Sequence, residues 1–333
     1  MAEIKSLRVG VVGAGVMGEL HAAIYRSVAD VELKWIIEPD TTRAAQIAAR
    51  FGVRVHPSTD GHWSEVDAVS VCTPDHLRKP ALDALAAGVP VLVEKPLAIS
   101  SAETAALLAA RRQPGHLMVG HLLRFDPRLI QARAALADIG KLWSVRCWRS
   151  NSLLAADRIA PRTSVAWFLG IHDVDVVRWV TGQEIVEVRA RGRKWVSKHH
   201  DHVQVHALLA DGTPVDLQWS WLLPIHRQSG LLAGLELIGA DGMLEVEMSH
   251  NAVALTARAA ARQRQLDTYH WPAHATGGPG GDLRAEIEGF IRSVRTGTVP
   301  PVTGEDGARA VAVIEAVDRS IAADGAAVAV GKA

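Results

Sequence analysis

Apolar and polar positions along the first third of the chain fall into blocks of two alternating kinds. Residues 7–12, Leu-Arg-Val-Gly-Val-Val, form a short valine-rich run, the pattern of a strand buried on both faces. Residues 17–28 carry Leu20, Ile24 and Val28 at four-residue spacing, which predicts a helix with one apolar stripe. The alternation continues as strand 32–38, helix 42–51, short strand 53–56, strand 67–72, helix 76–87 and strand 90–94. Such alternation predicts parallel βαβ units. Gly52 and Gly88 each follow a helical run where a left-handed residue closes a helix. Ser100-x-x-Glu103 has the capping-box pattern and opens a helix to Arg112, and a strand at 116–122 completes a doubly wound sheet.

Beyond about residue 124 the period changes. Strand-like stretches at 141–149, 184–193, 202–209, 214–221, 234–239, 243–247 and 252–257 follow one another, two of the joints carrying Asp211-Gly212 and Asp241-Gly242. Helices are predicted at 172–181, 282–296 and 305–323. The fold class expected is therefore α/β: an N-terminal doubly wound parallel sheet of the Rossmann type over residues 1–123, then an α+β domain over 124–333 with a large open, mostly antiparallel sheet. Val215, Leu217, Trp219 and Trp221 alternate along one strand, and the pattern leaves two coverings open, a partner subunit or the chain's own helices. Residues 273–281, rich in glycine, read as a loop.

Composition narrows the ligand class. Lysine plus arginine and aspartate plus glutamate number 36 each, so no bulk field argues for nucleic acid or for a cationic partner. Cys72 and Cys147 sit in predicted strands as apolar fillers, not in a disulfide or zinc pattern. With neither a signal peptide nor an apolar run of spanning length, the expectation is a cytoplasmic protein with a small-molecule substrate.

The candidate chemistry begins at the first strand. Gly13-x-Gly15-x-x-Gly18 follows it directly, with Val16 and Met17 counted with the glycines as cofactor-binding: Gly13 for a tight turn, Gly15 for close approach of a pyrophosphate, Gly18 for helix packing. Glu38 ends the second strand twenty positions beyond Gly18, where an acid binds adenosine ribose hydroxyls. A dinucleotide site is expected; Glu38 favours NAD, and Arg43 leaves NADP open. Thr73-Pro74-Asp75-His76 and Glu94-Lys95-Pro96 lie just past two later strands, at the carboxyl edge where such sheets bind ligands. Lys95 could donate to a substrate oxygen there, or be a surface lysine in a turn. On the predicted helix 172–181, His172, Asp175, Val176 and Trp179 share one stripe, so an imidazole and a carboxylate stand on a packing face; catalysis of alcohol oxidation and a structural role both remain open. His199-His200-Asp201-His202 and His270 raise a metal only weakly, and none is expected.

Taken together, Val9-Gly10-Val11-Val12-Gly13-Ala14-Gly15-Val16-Met17-Gly18, the Thr73-Pro74 turn, Glu94-Lys95-Pro96-Leu97-Ala98, Gly120 to Pro127 and His172-Asp173-Val174-Asp175 resemble the glucose–fructose oxidoreductase, inositol dehydrogenase and rhizopine-catabolism (Gfo/Idh/MocA) oxidoreductases over the whole chain. The resemblance implies NAD(P)-linked redox chemistry on a secondary alcohol of a sugar, polyol or cyclitol, and a homodimer or homotetramer built on the C-terminal sheet. It implies Lys95 near the nicotinamide and substrate oxygen, His172 as proton acceptor, Arg124 and Asp175 at the substrate, and Thr73, Pro74 and His76 at the nicotinamide end. Two positions depart from the pattern: Phe168 stands where many members have an aspartate four residues before the histidine, and Arg78 where a histidine is common. Arg78 suggests an acidic substrate or a salt bridge on its helix. Phe168 keeps alive two rivals, a reductase of imines or conjugated substrates and a non-catalytic dinucleotide sensor.

Overall fold

The short apolar runs of the first third do form a parallel sheet. In the computed structural model, which describes residues 6–227, 230–249, 254–255, 264–265 and 280–331, strands β1 (Leu7–Val12), β2 (Val31–Ile37), β3 (Arg54–His56), β4 (Ala68–Val71), β5 (Val91–Glu94) and β6 (Leu117–Gly120) lie in the order β3-β2-β1-β4-β5-β6. Every neighbouring pair is parallel. Helices α1 (Val16–Ser27), α2 (Thr41–Phe51), α3 (Lys79–Ala87) and α4 (Ser101–Ala110) follow β1, β2, β4 and β5. The strand order reverses between β1 and β4, so the loops leaving them diverge and open a crevice at the carboxyl edge. Gly52 and Gly88 close α2 and α3 with φ of 58° and 84°. The N-cap forms as read, Ser100 Oγ accepting from Glu103 N at 3.2 Å, while the Glu103 carboxylate accepts from Ile99 N, one residue ahead of the cap.

Two expectations are corrected here. The buried face of α1 is Gly18, His21, Ala22, Ile24 and Tyr25, not the stripe of Leu20, Ile24 and Val28. A polar stripe is tolerated because His21 and Tyr25 both find buried hydrogen-bond partners. Helix α3 starts at Lys79, three residues after the expected start, because residues 73–77 form a loop whose carbonyls are held by the Arg78 side chain.

The described residues of 123–269 and 309–333 make a second compact unit. Its elements are α5 (Pro127–Ala134), β7 (Leu142–Ser152), α6 (Leu153–Ile159), α7 (Ile171–Thr181), β8 (Ile185–Arg193), β9 (His202–Leu209), β10 (Pro214–Leu223), β11 (Leu231–Gly239) and β12 (Met243–Glu247), with a short pair, β13 (Ala254–Leu255) and β14 (Arg264–Gln265). The chain then forms α8 (Gly281–Thr296), α9 (Gly304–Ala322) and β15 (Val328–Ala329). Seven strands run β12-β11-β7-β10-β9-β8-β15, antiparallel except at β7–β10. The predicted strand 252–257 and loop 273–281 fall largely outside the described residues. Helix α8, read from sequence as part of the second domain, belongs with the first unit, 1–122 and 270–308. Its buried Leu283, Ile287, Phe290 and Ile291 make an apolar face, and Arg284 and Arg295 bond Ser27 Oγ at the end of α1 and Asp30 O in the loop after it.

Val215, Leu217, Trp219 and Trp221 are at most 2% exposed within the single chain. A Cβ on Gly170, just ahead of α7, would lie 2.7 Å from Trp219. Their alternation is thus explained by the chain's own helices and asks for no partner subunit.

Asp201, ahead of β9, holds the turn before it. Its carboxylate accepts from the backbone N–H of Val196 and Ser197, from Ser197 Oγ and from Trp221 Nε1, and also from Trp195 N. Burial would raise its pKa, but these donors outweigh that and hold the carboxyl below the ordinary aspartate value. A group depressed in the folded state stabilises it above the unfolded pKa of about 3.9 and loses that contribution as pH falls through the folded value. In urea unfolding, the stability difference between wild type and Asp201→Asn is therefore expected to be largest near pH 6 and to shrink towards about pH 3.

Candidate active site

On the first unit, the glycines at the end of β1 divide the work as their spacing implies. Gly13 has φ of +90°, and a Cβ there would meet Cys72 O at 3.0 Å. A Cβ on Gly18 would sit 1.8 Å from Gly13 O, so α1 packs against the turn with no room for a side chain. At Gly15 the same test finds nothing within 4 Å. That open space lies at the N terminus of α1, which no side chain caps. Glu38 stands beside this turn: its Oε2 accepts from Ala14 N at 3.2 Å and its Oε1 from Asp40 N at 3.0 Å. Val16 is 69% exposed, and Met17 half-buried. An uncapped helix start, free space at Gly15 and an acid at the end of β2 fit a dinucleotide of the NAD type, with pyrophosphate on the helix N–H groups and ribose hydroxyls on Glu38. Arg43, the residue that left NADP open, donates to Ala14 O and to Glu19, which also pairs with Arg50.

The loops after β4 and β5 lie side by side. Thr73 Oγ1 donates to Leu77 O at 2.6 Å, Pro74 and His76 are exposed, and Asp75 accepts from His76 N. Glu94 is buried at the end of β5, and Lys95, half-buried, follows it. Beneath them runs a buried polar chain: Glu94 Oε1 to His21 Nε2 at 3.1 Å, His21 Nδ1 to Ser70 Oγ at 3.0 Å, and Ser70 Oγ to Tyr25 OH at 2.7 Å. Burial raises the Tyr25 phenol pKa, so it stays protonated. Among the described residues, the cluster with donor atoms close enough for a metal is His21, Glu94 and Glu286, all within 4.8 Å, and both nitrogens of His21 already have partners there. The His199–His202 run makes no such cluster among the described residues; His270 lies outside them.

In the second unit, residues 166–170 wind as a π-turn into α7, and His172 is half-buried in its first turn. The flanking carboxylates are taken. Asp173 accepts from Arg149 Nε at 2.8 Å and Trp219 Nε1 at 3.1 Å. Burial pushes its carboxyl up, against the pull of Arg149. Asp175, 1% exposed, accepts two bonds from Arg124, Nε at 2.8 Å and Nη2 at 2.6 Å. The two residues expected at the substrate are thus brought together as a buried bidentate ion pair. Phe168 packs towards Trp221, ring centroids 6.2 Å apart.

Sequence reading did not single out His21, Tyr25, Arg149 or the inward course of Arg78. His21 and Tyr25 stand at i and i+4 on α1, a spacing that could have marked them as one face; Arg149 gave no local signal.

Comparison with known proteins agrees with this geometry. A model of an oxidoreductase family with an NAD-binding Rossmann fold matches residues 7–121, and a GFO/IDH/MocA C-terminal domain model matches residues 129–245. Inositol 2-dehydrogenase of Acidothermus cellulolyticus is 30% identical over 97% of this chain and 95% of its own length. UDP-N-acetylglucosamine 3-dehydrogenase of Acidithiobacillus ferrooxidans is 29% identical over 86% and 88%. The crystal structure of scyllo-inositol dehydrogenase from Lactobacillus casei, with NAD(H) and scyllo-inositol bound, matches with a TM-score of 0.84 over 98% of this chain and 99% of that one, at 21% identity, a likeness of fold.

The glycine geometry separates binding from folding. Gly15→Ala is expected to leave unfolding free energy within about 0.5 kcal/mol of wild type, since the new methyl meets no protein atom. It should weaken NAD binding about tenfold or more, measured by calorimetry, by filling the pyrophosphate space. Gly18→Ala must displace a backbone oxygen, and should lower stability by about 1–3 kcal/mol as well as binding.

Proposed function

Because this chain belongs to the Gfo/Idh/MocA oxidoreductase family, we propose that it is an NAD-dependent dehydrogenase that interconverts a secondary alcohol and a ketone on a cyclitol or sugar. The observation that carries this reading is the meeting, at one edge of one sheet, of the Gly13–Gly18 turn with Glu38 and the paired loops that end in Thr73 and Lys95. Bound NAD supplies the hydride acceptor. Glu38 grips the ribose hydroxyls and thereby favours NAD over NADP, whose 2′-phosphate it would repel. Lys95 donates a hydrogen bond to the reacting oxygen and stabilises the alkoxide that develops there. His172 takes the hydroxyl proton. Arg124, held rigid by Asp175, orients the substrate's remaining hydroxyls.

The relatives named above act on inositol and on UDP-N-acetylglucosamine, so the substrate is a ring carrying adjacent hydroxyls. Phe168 favours a second reading, in which the physiological direction is reduction. Without a carboxylate at that position, the imidazole is a weaker proton acceptor, and hydride delivery to an electrophilic carbon needs less help from a base.

Assaying myo-inositol, scyllo-inositol and UDP-N-acetylglucosamine with NAD, and the corresponding ketones with NADH, separates the two directions. With a substrate in hand, Lys95→Met and His172→Asn are each expected to lower kcat by about 10²–10⁴-fold while NAD affinity by calorimetry stays near wild type. Full turnover in Lys95→Met would overturn the assignment. NAD binding with no turnover across the panel would favour a sensor.

A further inference from the structure

A buried guanidinium needs a partner for each donor, and Arg78 finds them on five backbone carbonyls, with the Thr73 hydroxyl a longer contact of Nη1 at 3.4 Å. It is 5% exposed. Its Nε donates to Leu97 O at 2.9 Å, Nη1 to Thr73 O at 3.1 Å and Pro74 O at 3.0 Å, and Nη2 to Glu94 O at 3.2 Å and Pro96 O at 2.8 Å. These five carbonyls belong to two loops, one after β4 and one after β5, with Lys95 between two of the bonded carbonyls. Burial lowers the pKa to about 10, against the opposing field of Asp75 and Glu94, so the charge persists at neutral pH. Neither role open from sequence fits. With its donors spent on carbonyls, Arg78 has none to offer an anionic substrate, and it makes no ion pair on α3 among the described residues.

We infer that Arg78 is a positioning residue: its guanidinium welds the Thr73–Pro74 loop to the Glu94–Leu97 loop and so fixes the backbone from which Lys95 reaches the reacting oxygen. This rests on the reading of Lys95 given above. The planar fork matters as much as the charge. A lysine at this position has three donors on a flexible stem and reaches fewer carbonyls; a methionine keeps the bulk and reaches none.

Full-length Arg78→Lys and Arg78→Met test it, alone and combined with Lys95→Met. Hydrogen exchange followed by mass spectrometry should show residues 73–77 and 94–98 exchanging about tenfold or more faster in Arg78→Met and less so in Arg78→Lys, with residues 7–12 as in wild type. On a substrate that wild type turns over, kcat should fall about 10²-fold in Arg78→Met, with KM and NAD affinity within about threefold, and Arg78→Lys should recover part of the loss. Added to Lys95→Met, either Arg78 change should cost nothing further, because it acts through that lysine. If Arg78→Met does not fold, Arg78→Lys carries the same comparisons. Wild-type exchange rates in both loops, an unchanged kcat, or losses that multiply in the double variant would overturn the inference alone. Full turnover in Lys95→Met would overturn the Lys95 reading and this inference together.

Discussion

Helix α1 can begin where it does only because residue 18 has no side chain. With 1.8 Å between a notional Cβ and Gly13 O, any substituent would push the helix off the turn. The contact fixes the direction of the first-turn N–H groups, and the turn in turn offers Ala14 N to Glu38. One steric constraint therefore sets both features on which the proposed dinucleotide site rests, the uncapped start of α1 and the place of Glu38 beside the turn. Gly15 differs, since a Cβ there meets no protein atom within 4 Å and the fold itself sets no limit on its size.

The edge of the sheet beyond this turn is held from two sides by polar groups. From below, His21, Ser70 and Tyr25 satisfy one another and give Glu94 a fixed buried partner. From the side, Arg78 takes the loop carbonyls. Each such bond contributes only about 1 kcal/mol net, but a buried group left unpaired costs about 1–3 kcal/mol, so the network specifies geometry more than it adds stability. It makes the loop carrying Lys95 a rigid part of the sheet edge instead of a mobile turn.

How far the sequence could be read follows from the range of each interaction. Strand runs, the helix N-cap at Ser100, the closing glycines, the tight turn at Gly13 and the close packing at Gly18 are local, and they appear where the pattern put them. Strand β15 is two residues long and has no period to detect. The course of Arg78 depends on carbonyls up to nineteen residues away. The pairing of Asp173 with Arg149 and Trp219 joins a helix to two strands, so spacing within the helix could not reveal it. Helix α8 returns to the first unit for the same reason: its apolar face is plain in sequence, but what that face covers is not. Trp219 and Trp221 show the converse limit, where the alternation was plain but left the cover open between a partner subunit and the chain's own helices, and the chain's own residues supply it.

The charges on the helix that carries His172 are each met by a partner elsewhere in the second unit. Asp173 is bound to Arg149, Asp175 to Arg124, and Arg178 to Glu184 at the far end. Each pair is wholly or partly buried, so breaking one would strand a charge. In a regular helix residue 168 would lie one turn below His172; here a π-turn intervenes and the residue is an aromatic turned towards Trp221. Position 168 therefore offers His172 an aromatic ring and no carboxylate. Under the mechanism proposed above, more of the acid–base work then falls to Lys95, whose loop is held by the Arg78 bonds to Glu94 O and Pro96 O.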